Sequence, residues 1–200
     1  VLGILLSMLN NFLSELLKIS RFMITVATMS IFQGISYVIS KSVSIKGFPE
    51  PFKFLGQGYV GPVPLPVILM FLLLAVCSVL MNRTYFGQYV YALGGNSEAA
   101  KLAGINVKKM RYIISALAGG LIALAALILT ARLGSAHSTT GPGTEFTAIT
   151  GILLGGVSVR GGEGKMTSVF AGVLIVSILT NGMQLAGLDT YYQFIAKGVI

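Results

Sequence analysis

The chain has 200 residues, of which 54% are hydrophobic and only 10% charged, with a net charge of +8; a soluble domain carries roughly 25% charged residues. With a mean hydropathy of +0.85, this composition excludes a soluble fold and leaves a polytopic membrane protein. Nor does the positive charge point to nucleic acid, because the basic residues fall between apolar runs, where the positive-inside rule expects them.

A spanning helix needs about 20 mainly apolar residues. Residues 1–9 read as the end of one span; 22–40, 62–81, 112–130 and 166–188 read as further spans, and 191–200 begin a last one. Prolines in the 62–81 run sit near its start, where a first helical turn tolerates them. Residues 146–159 are short for a crossing and suit a re-entrant or tilted segment buried against protein. Because the chain starts and stops inside apolar runs, the expectation is a single all-α transmembrane domain that is a fragment lacking both ends of a longer chain.

The loop 82–111 holds Arg83, Lys101, Lys108, Lys109 and Arg111, which places it in the cytoplasm. Residues 10–21 and the turn carrying Arg160 and Lys165 then share that side. Residues 41–61 and 131–145 face outward, although the first of these carries Lys41, Lys46 and Lys53. Small residues recur at four-residue spacing in Ser115/Gly119, Ala116/Gly120, Gly151/Gly155 and Ser168/Gly172. That spacing lets helix backbones approach closely in lipid, within the chain or between copies.

The least apolar long run is "ALGGNSEAAKLAGINVKKMRYI", residues 92–113. Asn96 or Ser97 can cap a short helix, Glu98 suits the positive end of its dipole, and Gly104 suits a left-handed stop. Asn106 can then cap a second helix that enters the membrane. Such an element rests on lipid or docks into a groove of another protein. Ala99, Ala100 and Ala103 offer a small surface without the large side chains that sink into lipid, which favours the groove.

Elsewhere the residues offer no chemistry of their own. "GGVSVRGGEGK" fails the phosphate-loop spacing, since Met166 follows Gly164-Lys165, and reads as a tight turn in which Gly161, Gly162 and Gly164 allow positive φ. One cysteine, Cys77, and one histidine, His137, leave no disulfide framework, no metal cluster and no histidine dyad. Arg132, His137 and Glu145 bracket an outer loop, as solvated residues or as contacts for a delivering protein. Asn181 and Gln184, on one face of the 166–188 span, either hydrogen-bond another helix or line a passage for a hydroxylated solute, with Gln33 and Asn82 as weaker candidates. No cofactor is implied.

The stretch "YALGGNSEAAKLAGINV" together with "LGGVSVRGGEG" closely resembles the permease subunits of bacterial ABC importers for simple sugars, the ribose, xylose, galactose and autoinducer-2 group. The resemblance covers nearly the whole chain; Gln88 and His137 depart from the Arg and Gln common there. It implies a type II ABC importer-like transmembrane domain in the bacterial cytoplasmic membrane, moving a monosaccharide and having no catalytic site of its own. It implies as partners a cytoplasmic ATPase subunit, an extracytoplasmic sugar-binding protein, a second permease copy and the surrounding lipid, but no nucleic acid. The coupling helix of that family corresponds here to Gly95, Asn96, Glu98, Ala99, Ala100, Gly104, Ile105 and Asn106. Branched-chain amino-acid or nucleoside permeases share the architecture and are the nearest alternative. An ion-driven transporter is disfavoured because the four long runs hold no charged residue.

Overall fold

A computed structural model describes residues 1–41, 43–159 and 161–199; Arg160, expected at the inner membrane edge, lies outside them. In chain order the helices are α1 (Leu2–Leu17), α2 (Arg21–Ser40), α3 (Glu50–Gln57), α4 (Leu65–Arg83) and α5 (Tyr85–Gly95). They continue with α6 (Ser97–Leu102), α7 (Val107–Leu133), α8 (Thr144–Leu154), α9 (Met166–Leu185) and α10 (Thr190–Val199). Two short ladders pin loops: β1 (Ile45–Lys46) pairs with β4 (Ser135–Ala136), and β2 (Tyr59–Val60) with β3 (Val63–Pro64). The protein is thus an all-helical, multi-pass membrane protein, in which α2, α4, α7 and α9 are long and apolar enough to cross. On α4 none of the residues is fully buried, so much of its apolar surface is left for lipid or for another protein.

Some bounds differ from a hydropathy reading. Helix α1 continues through Asn10, Asn11, Ser14 and Glu15 to Leu17, so most of the expected 10–21 loop is helix. Polar residues end an apolar run without ending a helix. For the same reason α7 starts at Val107, with Lys108, Lys109 and Arg111 already in its first turns. The region 82–111 is mostly helical, and the segment 41–61, expected outside, contains α3.

The chain divides into two compact units, Val1–Ala75 with Asn106–Thr140 and Val76–Ile105 with Gly141–Ile200. In the first, α1 lies along α7 at backbone contact. A Cβ on Gly119 would stand 2.6 Å from the Cβ of Ser7, and one on Gly3 would stand 2.7 Å from that of Ala123. Helix α3 closes the other end of α7. A Cβ on Gly56 would meet Arg132 Cα at 2.6 Å, and Gln57 Nε2 donates to the Arg132 carbonyl at 3.1 Å.

In the second unit α8 packs on α9 in the same manner. A Cβ on Gly172 would lie 2.9 Å from Gly155 Cα, and one on Gly155 would lie 2.8 Å from Val169 Cα. Among the small residues at four-residue spacing, Gly119, Gly151, Gly155 and Gly172 therefore serve packing within the chain, where close backbone contact replaces a hydrophobic drive that lipid cannot supply. Helix α8 has 11 residues, about 16 Å at the rise of an α-helix. That is roughly half of a 30 Å hydrocarbon core.

Candidate functional site

The stretch between α5 and α6 is built from local chemistry. Asn96 has extended backbone, and its side chain accepts from the N–H groups of Glu98 and Ala99, both at 3.0 Å. Two of the helix's unpaired first-turn donors are thereby satisfied. At the other end Gly104 N donates to Lys101 O and Ile105 N to Ala100 O, both at 3.0 Å, with Gly104 at φ +85°. This is a Schellman stop, and it needs a residue that tolerates the left-handed region. Glu98 in the first turn and Lys101 in the last complement the helix dipole. Six residues are too few for a helix to persist alone; here both ends are fixed.

The two faces of α6 differ sharply. Ala100 is buried, with 4% of its surface exposed. Glu98, Ala99, Lys101, Leu102, Ala103 and Gly104 are exposed, and Leu102 is exposed to 90%. Of the residues assigned to coupling, Ala100 faces inward, unlike Ala99 beside it. The side chains of Asn96 and Asn106 are engaged in capping; Asn106 accepts from Lys109 N at 3.0 Å and begins α7 in the first unit. Ile105 is half-buried, while Gly95 is exposed with open space where a Cβ would stand. Leu102 was missed in the sequence. Which side of so short a helix faces out depends on how α5 and α6 pack, which spacing does not reveal.

Behind this element sits the glycine turn. Gly161 and Gly162 have φ of +88° and +80°, and the turn is closed by Gly161 N donating to Ser158 O at 3.0 Å. Its backbone touches the end of α5. A Cβ on Gly162 would lie 2.7 Å from both N and Cα of Gly95, and one on Gly161 would lie 2.9 Å from Gly94 O. Tyr91 Oη donates to Gly164 O at 3.0 Å beside it. Two glycine pairs, 94–95 and 161–162, thus meet backbone to backbone, and the turn leads directly into α9. The paired glycines were visible in the sequence, but nothing local joined one pair to the other.

The remaining assigned residues are dispersed. Gln33, on α2 in the first unit, donates to Tyr37 Oη at 3.0 Å. Asn181 and Gln184 share an exposed face of α9 in the second unit, and among the described residues neither side chain has a hydrogen-bond partner. Asn82 donates to Ser78 Oγ at 3.2 Å at the end of α4. In the first unit His137 Nε2 lies 3.1 Å from Ser44 Oγ beside the β1–β4 ladder, and the Arg132 side chain is exposed. Glu145 belongs to the second unit, where its carboxylate accepts from Gly143 N at 3.0 and 3.1 Å ahead of α8. Among the described residues no group of His, Cys, Asp and Glu could hold a metal ion.

A family model described as branched-chain amino acid transport system / permease component matches residues 1–200. The ribose import permease protein of Bacillus subtilis is 40% identical over 185 residues, covering 92% of this chain and 58% of that protein. Its counterpart in Haemophilus influenzae is 37% identical over 204 residues, covering 100% of this chain and 63% of the relative. The L-arabinose transport system permease protein of Escherichia coli is 38% identical over 191 residues, covering 96% and 58%. The chain therefore spans less than two thirds of the length of these relatives. No solved structure matches it.

Proposed function

The chain belongs to the family of branched-chain amino acid transport system permease components, and on that premise we propose that it forms the membrane passage of an ATP-driven importer for a monosaccharide, a pentose such as ribose. The relatives support the sugar over an amino acid: they are ribose and L-arabinose permeases. The chemistry of the assigned passage residues agrees. Gln33, Asn181 and Gln184 are uncharged amides that donate to and accept from hydroxyl groups, whereas a zwitterionic amino acid calls for charged partners.

The observation that carries the reading is α6, a helix fixed at both ends that presents Leu102 at 90% exposure among Glu98, Ala99 and Ala103. One large apolar side chain in a field of small ones suits insertion into a groove of another protein. A lipid-resting helix would instead carry a broad stripe of large residues. In this reading α6 docks on a separate cytoplasmic ATPase subunit. Closure of that subunit on ATP pushes α5, and the Gly94–Gly162 contact passes the displacement to the turn that begins α9. A sugar-binding protein outside delivers the solute near the exposed Arg132 and His137, and a second permease copy completes the passage. Coupling requires that ATP and sugar favour different arrangements of the same membrane unit.

The test is purification of the full-length protein from its membrane in mild detergent, as parent and as Leu102→Arg. Leu102 makes no buried contact, and Arg has a helix propensity close to that of Leu, so the variant inserts and folds. An ATPase accompanies the parent and is lost from the variant. An ATPase that accompanies both equally, or neither, contradicts the docking assignment.

A further inference from the structure

The first unit contains a polar pocket lined by none of the residues assigned above to passage or docking. It has a volume of about 90 Å³ and is lined by Ser7, Asn10 and Asn11 of α1, Arg21 and Thr25 of α2, and Ser115 of α7. Asn11 is buried, with 3% of its surface exposed, and neither polar atom of its side chain has a partner; the buried Oδ1 of Asn10 is also unpaired. A buried amide is costly unless something hydrogen-bonds it. The hydroxyls of Thr25 and Ser115 donate to carbonyls of their own helices, those of Phe22 and Arg111.

Charge around the pocket is in positive excess. Arg21 stands exposed at the mouth and, among the described residues, its guanidinium has no ion pair. Arg111 and Glu15 are near enough to act on it, but the Glu15 carboxylate is engaged, 3.5 Å from Lys108 Nζ and accepting from Tyr112 Oη at 3.4 Å. The space would hold about three waters at roughly 30 Å³ each. Water alone would satisfy Asn11 but leave Arg21 and Arg111 sharing the one nearby carboxylate, that of Glu15, with Lys108.

We propose that this pocket binds a phosphate group. The guanidinium fork matches two phosphate oxygens, and the Asn11 amide and the Ser7 hydroxyl supply further donors. The amide oxygens of Asn10 and Asn11 accept from a water or hydroxyl carried beside the phosphate. Two sources fit this chemistry, the headgroup of an anionic phospholipid and free inorganic phosphate. Depth agrees with the former. Helix α7 has 27 residues, which makes it about 40 Å long, some 10 Å more than a typical hydrocarbon core. Ser115 lies about two turns in from its charged end, roughly 12 Å, so the pocket lies close to the boundary between hydrocarbon and headgroups at the Lys- and Arg-rich end of α7. Basic pockets between helices at that level attract anionic lipid.

The experiment uses delipidated full-length protein in mild detergent and reads its thermal midpoint against phosphatidylglycerol, inorganic phosphate and, at matched ionic strength, chloride. A saturable rise with phosphatidylglycerol, beyond that with chloride, supports the site. If millimolar inorganic phosphate gives the same rise, the source is free phosphate; if only the lipid does, it is the headgroup. Arg21→Gln is expected to weaken the apparent affinity about tenfold, the effect of losing a charge-assisted pair, and Asn11→Leu to weaken it while filling the pocket. Absence of a rise in the parent overturns the proposal whatever the variants do, as does unchanged affinity in both variants.

Discussion

Gly104 and Gly162 are alike in backbone and opposite in surroundings. Both have positive φ, +85° and +80°, yet a Cβ at 104 would meet nothing within 4 Å while one at 162 would meet Gly95 at 2.7 Å. Gly104→Ala should therefore lose only the conformational term, about 1 kcal/mol. Gly162→Ala carries that term and also forces two backbone segments apart, adding roughly 1–3 kcal/mol of overpacking. Thermal unfolding in detergent should show the larger fall for Gly162→Ala; equal falls would mean that the turn does not seat α5. The cap residues Asn96, Gly104 and Asn106 were legible in the sequence because each acts within a few residues of itself. The seat for α5 was not, because it joins residues that lie far apart along the chain.

Helices in this protein pack through glycine, and each glycine can be judged by what stands opposite it. Gly119 on α7 faces Ser7 at 2.6 Å from where a Cβ would be, whereas Gly34 on α2 has nothing within 4 Å. Gly119→Ala is predicted to destabilise the α1–α7 contact by about 1–3 kcal/mol. Gly34→Ala should hold or raise stability, because Ala is the better helix former by about 1 kcal/mol. Unfolding midpoints of the two variants in one detergent check this, and a lower midpoint for Gly34→Ala than for Gly119→Ala would refute it. The four long helices were readable from hydropathy, since lipid exposure demands apolar residues throughout. The second half of α1 was not readable, because Asn10, Asn11 and Glu15 gather at a shared polar edge with Arg21, Lys108 and Tyr112 instead of facing lipid. Hydropathy counts such residues as loop.

In the proposed function the whole molecule divides labour between a passage of uncharged amides and a docking helix whose exposed leucine meets an ATPase. Leu102, at 90% exposure, is where that division is most open to test, since among the described residues little rests on its side chain. The most direct measurement is uptake of radiolabelled ribose by proteoliposomes holding the full-length protein with its ATPase and sugar-binding protein. The account predicts accumulation that needs internal ATP, persists without an ion gradient, and is abolished by Leu102→Arg although the variant remains folded in the bilayer. Accumulation driven by a proton or sodium gradient without ATP, or undiminished in Leu102→Arg, would contradict it.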